Sequence, residues 1–275
     1  MTAAGTRARV RAALTREIVD AARRHLAVDG AAGLSLRAVA RELGMASSAV
    51  YRYFPSRDDL LTALIVEAYD ALGVAAEEAD AASTKADLRS RLQAVCGAVR
   101  RWALAHPHEY ALVYGSPVPG YAAPTTTVGP AARVGTALAR IVAEGVAAGT
   151  VEPGTGGADA LLTPGVAAEV GLPADPGGTL GARMIQAWTA LFGLVSFEMF
   201  GHLHNVVDQR EEFFTDAVDR LGDLLGLPQA VATSRPSTSA TSATGTAPSR
   251  STRGSSPVRS TIVDATPTRH GPPSR

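Results

Sequence analysis

Within seven consecutive residues, Ser47 to Tyr53, the chain sets two small hydroxyls, two phenols and a guanidinium. None of these groups is a strong nucleophile at its ordinary pKa. Each hydrogen-bonds well to anionic oxygen, and an arginine can also pair with a guanine edge. The chemistry this pattern suggests is recognition of a polyanion. Arg37 lies ten residues before Ser47 and Arg57 four after Tyr53, so the same potential extends on both sides.

Other reactive residue types form weaker patterns. His106/His108 and His202/His204 are H-x-H pairs, but positions i and i+2 do not share a helix face, so we expect no metal there. Ser116 in "YGSPVPG" lacks the G-x-S-x-G frame of a nucleophile elbow. The single cysteine, Cys96, rules out an internal disulfide and a multi-thiolate zinc site and has the spacing of a small core residue. A helical-bundle enzyme would need a convergent acid/base or metal set, and we find none; no catalytic residue and no cofactor are expected.

Holding Ser47–Tyr53 outward requires a particular local frame. Ser35 is placed as an N-cap, and Leu36, Val39, Ala40 and Leu43 follow at i, i+3, i+4 and i+7, one buried stripe. Gly44 falls where a left-handed helix terminus needs no Cβ, and Met45 packs down after it. The next helix buries Ala49, Val50 and Phe54, which leaves Ser47, Ser48, Tyr51 and Arg52 facing away, with Tyr53 at the edge. Pro55 ends it, and Ser56 with Asp59 forms the S-x-x-D start of another helix, whose N-terminus and Arg57 suit a phosphate. Two short helices joined by a Gly-containing turn make a helix-turn-helix. Its second helix could enter a major groove with small residues leading and hydrogen-bonding residues behind. An amphipathic hairpin with a solvated charged face has the same local pattern.

The whole chain is read as all-α, since hydrophobic spacing gives helices and no alternating strand pattern. Helices are expected over about 15–28, 36–43, 47–53, 56–72, 85–106, 108–114, 131–148, 179–204 and 208–225. The net charge of zero conceals a segregation: residues 1–60 hold ten arginines against six acids, residues 61–228 ten basic residues against nineteen acids, and residues 229–275 six arginines against one acid. A basic head on an acidic body suggests that the head approaches a polyanion. No apolar run of eighteen lacks a charge, Gly or Pro, and the start lacks a secretory signal, so we expect a cytoplasmic protein without a membrane span. The Gly/Pro-rich stretch after Gly149 is read as a crossover with at most one short helix.

From about Thr15 to Leu64 the chain resembles the N-terminal domain of the TetR family of transcriptional regulators, through "IVDAARRHLAVDG", "LSLRAVARELGMASSAVYRYF" and "PSRDDLL". The resemblance implies DNA contact by Arg37, Ser47, Ser48, Tyr51, Arg52, Tyr53 and Arg57. Ala46 departs from the usual Ser/Thr-like cap, removing a hydroxyl worth about 1 kcal/mol. "RRWALAHPHEYALVYGSPVPGY" and "WTALFGLVSFEMFGHL" are similar to the TetR C-terminal type known as WHG.

The organisation expected is therefore a flexible basic arm (1–12), a helix-turn-helix domain (13–72), a helical ligand-binding and dimerisation domain (84–227) and a disordered Ser/Thr/Pro-rich tail (228–275). Arg7, Arg9 and Arg11 would either add phosphate contacts or form an extension without function. Trp102, Tyr114, Trp188 and Phe192 are candidates for an effector pocket, with core packing the alternative for each; Arg100 and Arg101 are read as surface residues. The apolar stripes from Leu191 to Phe200 and Phe213 to Leu225 are wide. A four-helix bundle with a second copy would explain them, as would one broad internal core; the resemblance favours the homodimer. The function implied is a repressor that binds a palindromic operator and is released by a small molecule. A DNA-binding regulator without an effector is the competing expectation.

Overall fold

The computed structural model describes residues 3–84, 86–153, 170–172 and 179–229, which all lie in one compact unit spanning 1–231. Most of the crossover and the tail from residue 230 fall outside the described residues, and so do the expectations made for them. Among the described residues the chain is helical, without strands: α1 (Ala3–Gly33), α2 (Leu36–Glu42), α3 (Ser47–Val50), α4 (Arg57–Ala82), α5 (Leu88–Ala105), α6 (Pro107–Tyr114), a 3-10 turn (Thr125–Thr127), α7 (Val128–Ala147), α8 (Thr179–Met199) and α9 (Arg210–Leu225).

Local chemistry sets most of the ends. Asp87 accepts from the Ser90 amide at 2.9 Å and starts α5 three residues later than the spacing predicts. Pro107 occupies the first turn of α6, where its missing N–H would have had no partner. α8 stops at Met199, short of His204, because Gly201 turns left-handed (φ 80°) and the His202 amide closes back on Phe197 O at 2.8 Å. Residues 3–12, expected as a separate basic arm, are helical and form the first turns of α1. Alanine and arginine are among the strongest helix formers, and from Thr6 to Thr15 no Gly or Pro interrupts them; the helix extends past Gly5 to Ala3. α1 also runs beyond Val28 to Gly33, with a kink at Gly30 (φ 67°, ψ 174°).

Two buried clusters share α4. Ile18, Ala22 and Leu26 of α1, Val39 of α2, Val50 and Phe54 pack on Leu60, Leu61, Leu64 and Ile65 in the first half of α4. Ala68, Leu72 and Ala76 in its second half join α5, α7, α8 and α9 in the larger core. Leu112 of α6 enters the first cluster, so the two halves of the fold meet along α4 and α6. α8 is long and apolar enough, by length and composition, to cross a membrane; here it buries Leu180, Met184, Leu191 and Val195 in the larger core.

The larger core contains charge that sequence spacing does not reveal. Arg100, read as a surface residue, is buried and binds both oxygens of Glu198 at 2.6 and 2.8 Å as well as Glu211. Arg91 pairs with buried Asp80 at 2.7 Å and with Glu144. Arg89 donates to the Leu227 and Asp219 carbonyls and to the Asp219 and Asp223 carboxylates, closing the C-terminus of α9. Each guanidinium finds enough acceptors to make its burial tolerable.

Candidate nucleic-acid interface and C-terminal clefts

The turn before α3 fixes its aim. Gly44 adopts φ 65°, its amide donates to Arg41 O at 3.2 Å, and the Met45 amide donates to Ala40 O at 2.8 Å, a paired closure of the end of α2. Ser35 holds the N-cap position of α2, but its side chain makes no capping bond. α3 is one turn of α-helix; Tyr51, Arg52 and Tyr53 continue it through amide bonds to Ser47, Ala49 and Val50 carbonyls. Val50 and Phe54 are buried and hold this segment down. Ala46 leaves its N-terminus without a side-chain cap. The following helix has a full capping box: the Asp59 amide donates to Ser56 Oγ at 3.0 Å, and the Ser56 amide to Asp59 Oδ2 at 2.9 Å.

With α3 held in this way, Ser48, Tyr51 and Arg52 are exposed beside half-buried Ser47, and Arg37 is exposed on α2. Tyr53 lies half-buried at the margin, with the Arg11 guanidinium 5.0 Å above its ring centroid. Arg57 is placed differently from the others. It donates to Ala31 O at 2.8 Å, to Leu34 O at 3.2 Å and to Ala32 O at 3.3 Å, tying down the kinked end of α1. Its guanidinium thus has an internal structural role. At the end of α2, Arg24, the largest influence, and His25 hold the Glu42 carboxyl below its usual range, so it stays ionised and paired. The outward groups can donate hydrogen bonds to phosphate and base edges; they carry no general base or metal set.

Three of the four pocket candidates come together. Tyr114 stacks on Phe192 with centroids 4.1 Å apart, and Trp188 meets Phe192 at 5.3 Å. Burial pushes the Tyr114 phenol far above its ordinary pKa and keeps it neutral. Trp102 is elsewhere, stacked on His106 at 4.9 Å and lining a cleft of about 290 Å³ with Arg23, Glu67 and Glu109. Tyr114 also borders a larger cleft of about 810 Å³, where the end of α1 (Leu26, Asp29–Ala32) faces His108, the 115–119 loop and Phe200. Spacing alone did not mark α1 as a wall of that cleft, because its contribution comes from the backbone around a glycine kink.

Comparison with known proteins agrees with this geometry. Residues 18–64 match the family described as "Bacterial regulatory proteins, tetR family", and residues 92–221 match "Tetracyclin repressor-like, C-terminal domain". The chain is 40% identical over 201 residues to the HTH-type transcriptional regulator Rv1816 of Mycobacterium tuberculosis, covering 72% of this chain and 85% of that one. Among solved structures, the regulatory protein SCO4313 aligns with a TM-score of 0.62 at 31% identity, over 79% of this chain and 98% of that one. A protein from Rhodococcus sp. RHA1 aligns at 0.58 and 28%, over 78% and 96%. With its outward-facing helix-turn-helix and its all-helical C-terminal half, this chain belongs to the TetR family of DNA-binding transcriptional regulators.

Proposed function

We propose that the protein is a cytoplasmic repressor that binds a palindromic operator as a homodimer and is released by a small-molecule effector. The observation that carries this reading is the face of Ser47, Ser48, Tyr51 and Arg52, held outward by buried Val50 and Phe54. In this reading Tyr51 and Arg52 meet the major-groove walls, the two serines approach base edges, Arg37 binds a flanking phosphate, Tyr53 borders the face beneath the Arg11 guanidinium, and Arg57 acts through the geometry of α1.

Dimerisation is supported by the outer surface of the last two helices. Ile185, Phe197 and Phe213 are 44%, 55% and 39% exposed in a single chain, on the two helices whose other faces enter the larger core. A second copy would cover them in a four-helix bundle. Effector release is supported by the 810 Å³ cleft, which is within the range of small-molecule sites. Its walls come from both halves of the fold, so an occupant would favour one head position over another, as coupling between two sites demands.

Selection of bound sequences from random double-stranded DNA tests this reading. An inverted repeat is the result expected, with Tyr51→Ala losing binding in a gel shift while the oligomeric state persists. Absence of any preferred sequence at low salt would overturn it.

A further inference from the structure

We propose that the N-terminal turns of α1 form a basic prong that binds DNA phosphates outside the half-site read by α3, with Arg11 positioned by the ring of Tyr53. Residues 1–16 contain Arg7, Arg9, Arg11 and Arg16 and no acid. α1 is helical from Ala3, so these charges lie on a rod. Arg7, Arg11, Leu14 and Ile18 fall at i, i+4, i+7 and i+11, on one stripe. Ile18 is fully buried in the first core and Leu14 packs against its rim. One turn further on, the same stripe changes from aliphatic to guanidinium, and Arg11 sits 5.0 Å from the Tyr53 centroid. The apolar face of α1 therefore becomes a cationic face where it passes the C-terminal end of the groove-reading segment.

A guanidinium stacked on an aromatic face keeps its N–H edge available for a flat anion, and the ring limits the rotamers it must give up on binding. The major groove, about 12 Å wide, admits one helix. With α3 there, α1 must run along the sugar-phosphate backbone, so its partner is phosphate and its contribution is independent of sequence. From Leu14 to Ala3 the helix extends by roughly 17 Å, enough to reach phosphates beyond those beside α3. Tyr53 is thus a positioning residue for Arg11.

This inference rests on the reading of Ser47–Tyr53 as the DNA-contacting segment. The test is titration of the full-length protein with its selected operator duplex at a series of salt concentrations, comparing wild type, Arg11→Ala, Arg7→Ala/Arg11→Ala, Tyr53→Phe and Tyr53→Leu. Each arginine lost should lower the slope of log affinity against log salt by roughly one and weaken all duplexes alike. Tyr53→Phe, which keeps the ring, should retain the Arg11 contribution. Tyr53→Leu should resemble Arg11→Ala, and combining the two should add little. Ethylation interference should lose its signal at flanking phosphates in the double arginine variant, a readout that does not need the Tyr53→Leu protein to fold. A wild-type slope and footprint in Arg7→Ala/Arg11→Ala, with Tyr51→Ala still defective, would overturn the prong and leave the reading of α3 standing. Full binding by Tyr51→Ala, or no selected duplex at all, would overturn both.

Discussion

Arg100 grips both carboxylate oxygens of Glu198, at 2.6 and 2.8 Å, and thereby joins α5 to α8 inside the larger core. Both side chains are 8% exposed, and the guanidinium also lies 5.2 Å from the Phe214 ring centroid of α9. Removing one member leaves the other charged and buried. Glu198→Ala should destabilise the fold by about 3 kcal/mol. Glu211→Ala, whose carboxylate is mostly exposed, should change it by about 1 kcal/mol or less. Arg100→Met, which removes the charge and keeps the length, should fall nearer wild type than Glu198→Ala. Urea midpoints at constant m-value decide among these.

Cys96 gives a pH dependence with a definite sign. Burial pushes its thiol from an ordinary 9.0 up to about 12. The unfolded chain therefore releases this proton first, and the native state still holds it. Stability should fall as pH rises above 9.0, with a slope approaching about 1.4 kcal/mol per unit from this group. Tyr110, raised by burial to about 12, adds to the decline above pH 10.0. Cys96→Ala should flatten the curve between pH 9 and 10 in denaturant titrations, and native Cys96 should resist alkylation at pH 8. Rapid modification of the folded protein would contradict its burial.

The frame of α3 can be perturbed from both ends. Gly44 has φ 65° and open space where a Cβ would project, so Gly44→Ala tests backbone conformation alone. A loss of about 1–2 kcal/mol is expected, and Gly44→Asn should be milder. Ala46→Ser restores an N-cap hydroxyl at a β-region residue (φ −63°, ψ 137°) and should add about 1 kcal/mol. Thermal melts read both changes, and a neutral Gly44→Ala would show that the turn accepts another conformation.

Phe197→Glu on the outer face of α8 should convert the proposed dimer to monomer with little change in helical content. Sedimentation at micromolar concentration distinguishes the two, and operator affinity should fall with dimerisation. A dimer that survives Phe197→Glu combined with Phe213→Glu would place the interface elsewhere.

Features encoded over a few neighbouring residues were legible in the sequence. The Gly44 turn and the Ser56/Asp59 box depend on partners within five positions and form as read, and of the stripe Leu36, Val39, Ala40 and Leu43 the first three are buried while Leu43 is half-buried. Features that join distant segments were not. Arg89, Arg91 and Arg100 look like surface charges because their acids lie on other helices, 98 residues away for Arg100 and Glu198. The same applies to Trp102, which shares a residue type with Trp188 but faces Arg23 and Glu67. Arg57 carries a role that its position did not suggest: a cation beside a helix N-terminus suggests an anion, and its guanidinium also donates to three carbonyls of the preceding chain. The start of α1 was missed because the spacing argument required an apolar partner, while the Ala/Arg-rich stretch from Thr6 favours helix by propensity.

In the proposed release mechanism α4 would give the molecule mechanical advantage. Its 26 residues form a beam roughly 39 Å long. The beam is stiffened midway where Arg133 clamps Asp70 and Glu77, and it is bolted at the far end through Asp80 to Arg91. Pivoting such a beam by about 5° sweeps its opposite tip through roughly 3 Å. Hydrogen bonds to phosphate are lost over a fraction of that travel. Detachment from a duplex would then need no refolding of either core, only an angular displacement amplified by distance.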